Sequence, residues 1–360
     1  MPPLPDLLKP ELSVIVPILN EGRTLVDLFA TLRRQQGVTF ELILCDAGSD
    51  DDSAAVFSSL RQGCPFDCRL IVSEPGRGRQ FNVGVSESRA DYLLFLHADS
   101  TFEDPQALAS AHACLKSTHQ QTGDGAVVGH FPLTFTRHTE ERSWLFYHHA
   151  WKTYLHRPFC THGDQGFMMA RSFFDVLGPF DETLPFLEDV RMAKNIDARG
   201  QWLLLPAVLG TSARRFETEG FYPRQALNAM LLACEGTGYG AWITAVPGIY
   251  RQQSACERLR LGPFFKEFSR RLRCLSFRHR IRFWRHIGKF VCRNAWQLAF
   301  MLDTARNYRH AVTVGQGRLS VLDYFDRRIE GIIDRPAVYW VCALLSWMWY
   351  RCHLLAWRWL

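Results

Sequence analysis

The sequence lacks the features that identify secreted and membrane-spanning proteins. The first ten residues, MPPLPDLLKP, contain no basic segment followed by an apolar stretch, so we expect no secretory signal. A largely apolar run near the end covers 14 residues, Ala337 to Tyr350, and a membrane-spanning helix needs about 20. The 11 cysteines are scattered without metal-ligand spacing, so we expect reduced thiols in a cytosolic protein.

Negative charge is missing from one stretch of the chain. Residues 269–293 hold nine Lys or Arg and no Asp or Glu. These nine cations exceed the net charge of +6, so the rest of the chain is net negative. The basicity is therefore local. No nucleic-acid-binding motif accompanies it, and we expect no nucleic-acid partner.

The first hundred residues alternate between short apolar runs and helical segments. The apolar runs begin with ELSVIVPILN and FELILCD, continue with CRLIV and end with DYLLFLHADS at 91–100. Continuous apolar strands separated by helices predict an α/β fold with a mostly parallel sheet covered on both faces. If the last run stays extended to residue 99, His97 and Asp99 share one face.

Polar residues follow each of these strands, where parallel sheets bind ligands. Carboxylates there suit Mg²⁺ or Mn²⁺, which in turn suit a phosphorylated ligand. No GxGxxG follows the first strand, which argues against a dinucleotide-dependent dehydrogenase. The segment PILNEG in the same place lacks the GxGxR loop of a sugar-phosphate nucleotidylyltransferase.

Five segments in order resemble the inverting family 2 glycosyltransferases. They are VIVPILNEGRTL, CDAGSDDDS, the HAD of 97–99, the LED of 187–189 and the SARRFE of 212–217. The resemblance covers residues 11–220 and implies a GT-A fold. Within that family, the chain resembles a bacterial subgroup associated with radical-SAM and selenium-related genes. The segments PGRGRQFNVG and HGDQG carry this closer resemblance.

The resemblance implies a role for each matching residue. Asp189 matches the catalytic base, with Glu188 beside it, and Asp99 matches a metal ligand, with His97 at the second position. Asp164 and Gln165 of HGDQG are candidates for contacts to the acceptor or the sugar; the alternative is a tight turn. The donor-binding positions are Pro17, Asn20, Glu21, Asp46, Gly78, Arg79, Asn82 and Arg215, with Gly78, Arg79 and Asn82 expected in a loop.

The last third of the chain has a different character. From Ile281, apolar residues recur at helical spacing as far as Leu302, and basic residues occupy the other face. Five of the 11 tryptophans lie in the last 21 residues, as expected at a bilayer interface. Residues 269–302 and 337–360 thus predict either a membrane-surface contact or helices packed into a core.

These inferences divide the chain into a GT-A domain at 11–250 and a helical extension at 251–360. We expect a cytoplasmic enzyme, peripheral on the inner face of the cytoplasmic membrane. It would use Mn²⁺ or Mg²⁺, a nucleotide-sugar donor (a UDP-sugar by default) and an unknown, lipid-linked acceptor. One alternative is a non-catalytic nucleotide-sugar-binding or scaffold protein, since Ala47 and His97 replace family aspartates. The other is a nucleotidylyltransferase.

Overall fold

The computed structural model describes residues 9–253 and 258–356. Residues 1–8, 254–257 and 357–360 lie outside the described residues, and with them the expectation about a secretory signal and the predictions for Trp357 and Trp359. The chain divides into two compact units. The first comprises residues up to Thr136 and His149–Ser212, and the second comprises Arg137–His148 and residues from Ala213 onward. The functional division at residue 250 stays a prediction.

The first unit is built on a mostly parallel sheet. Its strands are β1 (Leu12–Ile18), β2 (Phe40–Asp46), β3 (Asp67–Val72), β4 (Tyr92–Phe95), β5 (Val127–His130), β6 (Leu133–Thr136), β7 (Phe167–Ala170), β8 (Gln201–Leu204) and β9 (Leu209–Ser212). Seven of them form one sheet in the order β3-β2-β1-β4-β7-β5-β8, and β6 pairs with β9. β7 runs antiparallel to β4 and β5, while β1, β2, β3 and β4 are mutually parallel.

Helices lie in the chain between these strands. They are α1 (Gly22–Arg33), α2 (Ser53–Leu60), α3 (Arg77–Glu87), α4 (Ala107–Thr122), α5 (Trp144–Lys152), α6 (Arg171–Leu177) and α7 (Glu188–Arg199). The strands alternate between two apolar clusters: Val14 and Val16 of β1 face one, and Ile15 between them faces the other. Both faces of the sheet are therefore buried, as the continuous apolar strands predicted.

The second unit is helical. Its helices are α8 (Arg214–Glu219), α9 (Phe221–Gly236), α10 (Gly240–Ile243), α11 (Val246–Arg251), α12 (Gly262–Cys274), α13 (Phe277–Arg293), α14 (Trp296–Arg309), α15 (Ser320–Tyr324), α16 (Glu330–Ile333) and α17 (Pro336–Ala356). A π-helical turn, Phe325–Ile329, separates α15 from α16. In the described parts of the chain, no helix is both long and apolar enough to cross a membrane.

Three local predictions were wrong. β4 ends at Phe95 and Asp99 lies in a turn, so an extended strand does not place His97 and Asp99 on one face. Gly78, Arg79 and Asn82 lie in helix α3, which begins at Arg77, not in a loop. The helical pattern from Ile281 to Leu302 is broken between Arg293 and Trp296, where α13 ends and α14 begins.

Candidate functional site

The carboxyl ends of β1 and β2 are joined by a network of polar turns. Asp46 is buried, and its Oδ1 accepts hydrogen bonds from the Ser49 backbone N–H (2.9 Å) and hydroxyl (2.6 Å). Asn20 has a left-handed φ of 59°, which asparagine tolerates better than most residues. Its N–H donates to Ser49 Oγ (2.9 Å), and its Oδ1 accepts from the Asp50 N–H (2.9 Å). Asn20 and Asp46, both predicted donor-binding residues, therefore lie in one rigid turn system.

Two other predicted donor-binding residues lie beside this system. The Glu21 N–H donates to Ser53 Oγ at 3.0 Å, which joins the start of α1 to the start of α2. Pro17 lies in β1, paired in register with Cys45 of β2. The structure thus brings Pro17, Asn20, Glu21 and Asp46 to the same edge of the sheet.

Helix α3 is fixed to this edge by Gln80, which the sequence analysis did not single out. The buried Gln80 amide donates to the backbone carbonyls of Ile18 (2.9 Å) and Cys45 (2.6 Å). Its partners lie 62 and 35 residues away in the chain. No local pattern signals such contacts, which explains why the sequence did not reveal them.

The remaining predicted residues of α3 contact the segment before α7. A Cβ on Gly78 would lie 2.9 Å from the Asp181 carbonyl oxygen, so only glycine permits this approach. The Arg79 guanidinium Nε lies 3.1 Å from Glu182 Oε2. The Asn82 amide donates to Phe180 O and accepts from Phe180 N–H, each at 2.9 Å. These bonds favour a structural role for Asn82, and its donor-binding role stays a prediction.

The acidic pair at the start of α7 is split into two environments. Glu188 is 1% exposed, and its Oε1 lies 2.8 Å from Arg77 Nε. Burial raises the pKa of Glu188, while the Arg77 charge opposes that rise. The preceding residue, Leu187, has a left-handed φ of 70°, a costly conformation for leucine that is typical of constrained functional segments.

Asp189 faces the HGDQG turn instead. Its Oδ2 accepts the Gly163 N–H at 2.8 Å, and a Cβ on Gly163 would lie 2.8 Å from Asp189 Cβ. Burial alone would raise the pKa of Asp189, but Arg77, His162 and the Gly163 N–H together lower it. Asp189 is therefore ionised at neutral pH.

Asp164 is a carboxylate on which both the predicted base, Asp189, and the predicted metal ligand, Asp99, act electrostatically. Its Oδ1 is buried and has no hydrogen-bond partner among residues 9–253 and 258–356. Burial, then the charges of Asp189 and Asp99, raise the pKa of Asp164 to about 7. Asp99 and Asp189 therefore both lie near enough to Asp164 to act on it electrostatically, and we call these three residues the acidic cluster.

Asp99 and His97 are held by the turn after β4. Asp99 Oδ2 accepts from the Ser212 N–H (3.2 Å) and the Thr211 hydroxyl (3.4 Å) at the end of β9. The His97 N–H donates to Ser100 Oγ at 3.2 Å. Across the described ranges, no three His, Cys, Asp or Glu side chains form a metal-binding set, so metal ligation by Asp99 and His97 stays a prediction.

Gln165 is engaged inside the protein. It is 1% exposed, its Oε1 lies 3.0 Å from His130 Nδ1, and its Nε2 donates to Cys160 O at 2.7 Å. Burial lowers the pKa of His130 to about 4, so its imidazole is neutral at physiological pH. These contacts favour a turn-holding role for Gln165 and leave Asp164 as the HGDQG residue suited to a ligand.

Two arginines differ from the predictions or were not covered by them, Arg215 and Arg77. Arg215 belongs to α8 in the second unit, and its contact with a diphosphate stays a prediction. The sequence analysis gave Arg77 no role, yet it pairs with Glu188 and acts electrostatically on Asp189. Its position directly before Gly78, a predicted donor-binding residue, could have pointed to a role for Arg77.

Comparison with known proteins finds similarity over part of the chain. The family model described as Glycosyl transferase family 2 matches residues 13–175. The undecaprenyl-phosphate 4-deoxy-4-formamido-L-arabinose transferase of Pseudomonas paraeruginosa is 32% identical over 92 residues, which are 24% of this chain and 27% of that protein. A PGL/p-HBAD biosynthesis glycosyltransferase of Mycobacterium bovis is 31% identical over 107 residues, 29% of this chain and 41% of that one.

A solved mannosyltransferase from Pyrobaculum calidifontis, in complex with GDP-Man and Mn²⁺, superposes with a TM-score of 0.47 and 14% identity. That match covers 95% of this chain and 88% of the other. The chain spans less than half the length of each of the two curated relatives it matches.

The predicted fold class, a GT-A fold with a mostly parallel sheet and a helical C-terminal region, is confirmed.

Proposed function

We propose, from the premise that residues 13–175 form a family 2 glycosyltransferase domain, that this chain is an inverting glycosyltransferase. It would move a sugar from a nucleotide-diphosphate donor to an acceptor hydroxyl. The observation that carries the proposal is the acidic cluster beside Arg77 at the ligand-binding edge of a parallel sheet. Membership of the radical-SAM-associated subgroup is part of the same proposal.

The donor would bind along the carboxyl ends of β1 and β2. Pro17, Asn20, Glu21 and Asp46 lie together there and would hold the nucleoside. Gly78 and Arg79, in the first turn of α3, would approach the diphosphate with Arg215. A UDP-sugar is the donor to test first.

Asp189 is the proposed base of an in-line displacement. Its carboxylate would take the proton of the acceptor hydroxyl as that oxygen forms a bond to the anomeric carbon. The bond between that carbon and the diphosphate oxygen breaks, and the nucleoside diphosphate leaves with the electron pair. Glu188 would support this step by holding Arg77, whose charge keeps Asp189 ionised. Asp164 would face the acceptor or the transferred sugar.

The carboxylates present fit a divalent cation brought in with the donor. Mg²⁺ is usually bound by one or two carboxylates together with substrate phosphates, not by an all-protein cage. Asp99 and the unpartnered Asp164 oxygen offer such a donor set, with His97 as a further candidate that suits Mn²⁺. The cation would offset negative charge on the leaving diphosphate.

The acceptor and the location of the protein belong to the same proposal. One relative carries a name that describes transfer to undecaprenyl phosphate, a lipid. The chain has a basic segment at 269–302 and a tryptophan-rich end at 337–360. We infer a lipid-linked acceptor and a cytoplasmic protein that is peripheral on the inner face of the cytoplasmic membrane.

A thermal-unfolding screen tests the donor half of the proposal. The ligands are UDP, GDP and their sugars, each with Mn²⁺, Mg²⁺ or EDTA. A ligand at 100 times its Kd adds about 2.7 kcal/mol of stability, which corresponds to roughly 3–4 °C for a chain of 360 residues. The shift should depend on the cation and disappear in Asp99→Asn. The exposed Asp175→Asn is the matched control.

Release of nucleoside diphosphate from the donor that binds then tests transfer. Losing a general base typically costs about 10²- to 10⁴-fold in rate, so Asp189→Asn should bind the donor and fail to transfer. A wild-type chain that binds the donor without turnover would support the non-catalytic nucleotide-sugar-binding alternative. If the chain bound no nucleotide at all, both the glycosyltransferase proposal and the non-catalytic nucleotide-sugar-binding alternative would be contradicted.

A further inference from the structure

Two helices of the second unit, α13 and α17, lie side by side on a third, α12. The ring of Phe268 in α12 lies 5.7 Å from Phe283 of α13 and 5.5 Å from Tyr350 of α17, centroid to centroid. The helices α13 and α17 also touch directly, because a Cβ on Gly288 would lie 1.9 Å from the Tyr339 carbonyl oxygen. The sides of α13 and α17 that point away from α12 therefore lie next to each other.

On α17 that side is apolar. A rotation of 100° per residue places Val341, Leu344, Leu345 and Met348 opposite the buried Tyr350, and these four side chains are 49–58% exposed. Trp340 and Trp347 lie at its edge, 45% and 42% exposed. So many large apolar side chains on one exposed helix side are unusual for a protein surface facing water.

On α13 the corresponding side is cationic. The side opposite the buried Phe283 carries Arg278, Arg282, Arg285 and Lys289, all exposed. The sequence from residue 268 to residue 302 contains no acidic residue, and neither does α17. We call the surface formed by these four cations and by Val341, Leu344, Leu345 and Met348 the outer face.

We propose that the outer face docks onto a bilayer that contains anionic lipid. The apolar side chains of α17 would enter the boundary between headgroups and acyl chains, with the tryptophans at the interface. The cations of α13 would meet the lipid phosphates. A second copy of the chain fits less well, because the outer face carries no acidic residue to pair with the cations of another copy.

This inference rests on the proposed function only in that a lipid-linked acceptor would lie at the same membrane.

The test is flotation of the full chain with phosphatidylcholine vesicles, with and without phosphatidylglycerol. Binding should require phosphatidylglycerol and weaken as salt rises, since salt screens exposed charges. Nucleotide binding without vesicles, measured on every variant, separates a failure of docking from a failure of the proposed sugar transfer.

Two variants divide the surface into its parts. Arg285→Gln with Lys289→Gln should weaken vesicle binding about 30-fold, at about fivefold per charge near an anionic surface. Val341→Gln with Leu345→Gln and Met348→Gln should abolish it. Matched controls are Arg327→Gln with Arg328→Gln, exposed in the same unit, and Val72→Gln with Val176→Gln, exposed in the first unit. Both controls should bind vesicles like the wild type.

Three results would overturn the proposal. The first is equal flotation with neutral and anionic vesicles, and the second is normal flotation of the triple apolar variant. The third comes from sedimentation velocity: a wild-type dimer that the same triple variant turns into a monomer. In that case a second copy covers the outer face.

Discussion

Asp164 combines burial, an unpartnered oxygen and two acidic neighbours in one residue. Its pKa of about 7 lies well above the 3.8 of an unperturbed aspartate. Between these values the folded chain holds a proton that the unfolded chain has released. The contribution of Asp164 to stability therefore falls as the pH rises from about 4 to about 7. Burial contributes most to the raised pKa of Asp164, followed by the charges of Asp189 and Asp99, with Arg77 opposing them.

Asp164→Asn should remove this pH dependence. At pH 4 the variant and the wild type should be similarly stable, and at pH 8 the variant should be more stable by up to about 4 kcal/mol, because a buried charge is gone. Urea unfolding at pH 4, 6 and 8 measures this, with the exposed Asp175→Asn as control. Parallel pH profiles for Asp164→Asn and the wild type would show that Asp164 is not protonated in the folded chain.

Single residues also show where sequence reasoning about the site stops. Asp189 and Asp99 were predicted from sequence motifs. Asp99 follows an apolar run, and Asp189 lies at the start of a helix. Their hydrogen-bond partners were not predicted, since Asp189 is held by the backbone of Gly163 and Asp99 by that of Ser212. Backbone N–H groups leave no signature in residue type, so such contacts come only from the folded chain.

At the scale of elements, the strands were predictable and their ends were not. Continuous apolar runs identified β1, β2, β3 and β4, because strands covered on both faces need no polar alternation. The largely apolar run AVVGHFPLTF contains two strands and not one, because β5 ends at His130 and β6 joins a separate sheet with β9. The break depends on the pairing of β5 with β7 and β8, which is a long-range property.

The contact between α13 and α17 depends on one glycine. An alanine at 288 would place its Cβ 1.9 Å from Tyr339 O and 2.7 Å from Ala343 N, both backbone atoms. We expect Gly288→Ala to destabilise the chain by about 1–3 kcal/mol, since overpacking outweighs the better helix propensity of alanine. Urea unfolding of the variant measures the change.

Gly331→Ala is the matched control for that experiment. Gly331 lies in α16 with no heavy atom within 4 Å of an added Cβ. Its replacement should therefore be neutral or stabilising by up to about 1 kcal/mol. If Gly288→Ala were equally well tolerated, α13 and α17 would not pack as closely as described, and the outer face would lose its geometric basis.

At the scale of the whole molecule, charge and chemistry are distributed unequally between the two units. The acidic cluster and the polar turns after β1 and β2 lie in the first unit, and the outer face lies in the second. The proposed donor site and the proposed membrane contact lie on different segments of the chain. Hydrogen exchange distinguishes these segments, because bound surfaces open less often than free ones.

UDP with Mn²⁺ should slow exchange at residues 19–24, 46–53 and 75–80, around the donor-binding turns, and leave α17 unchanged. Vesicles containing phosphatidylglycerol should slow exchange in α13 and α17 and leave those turns unchanged. Phosphatidylcholine vesicles are the control for the second arm, and UDP with EDTA is the control for the first. Protection of the donor-binding turns by vesicles alone would contradict the assignment of the membrane contact to the outer face, because the lipid would then bind to the first unit.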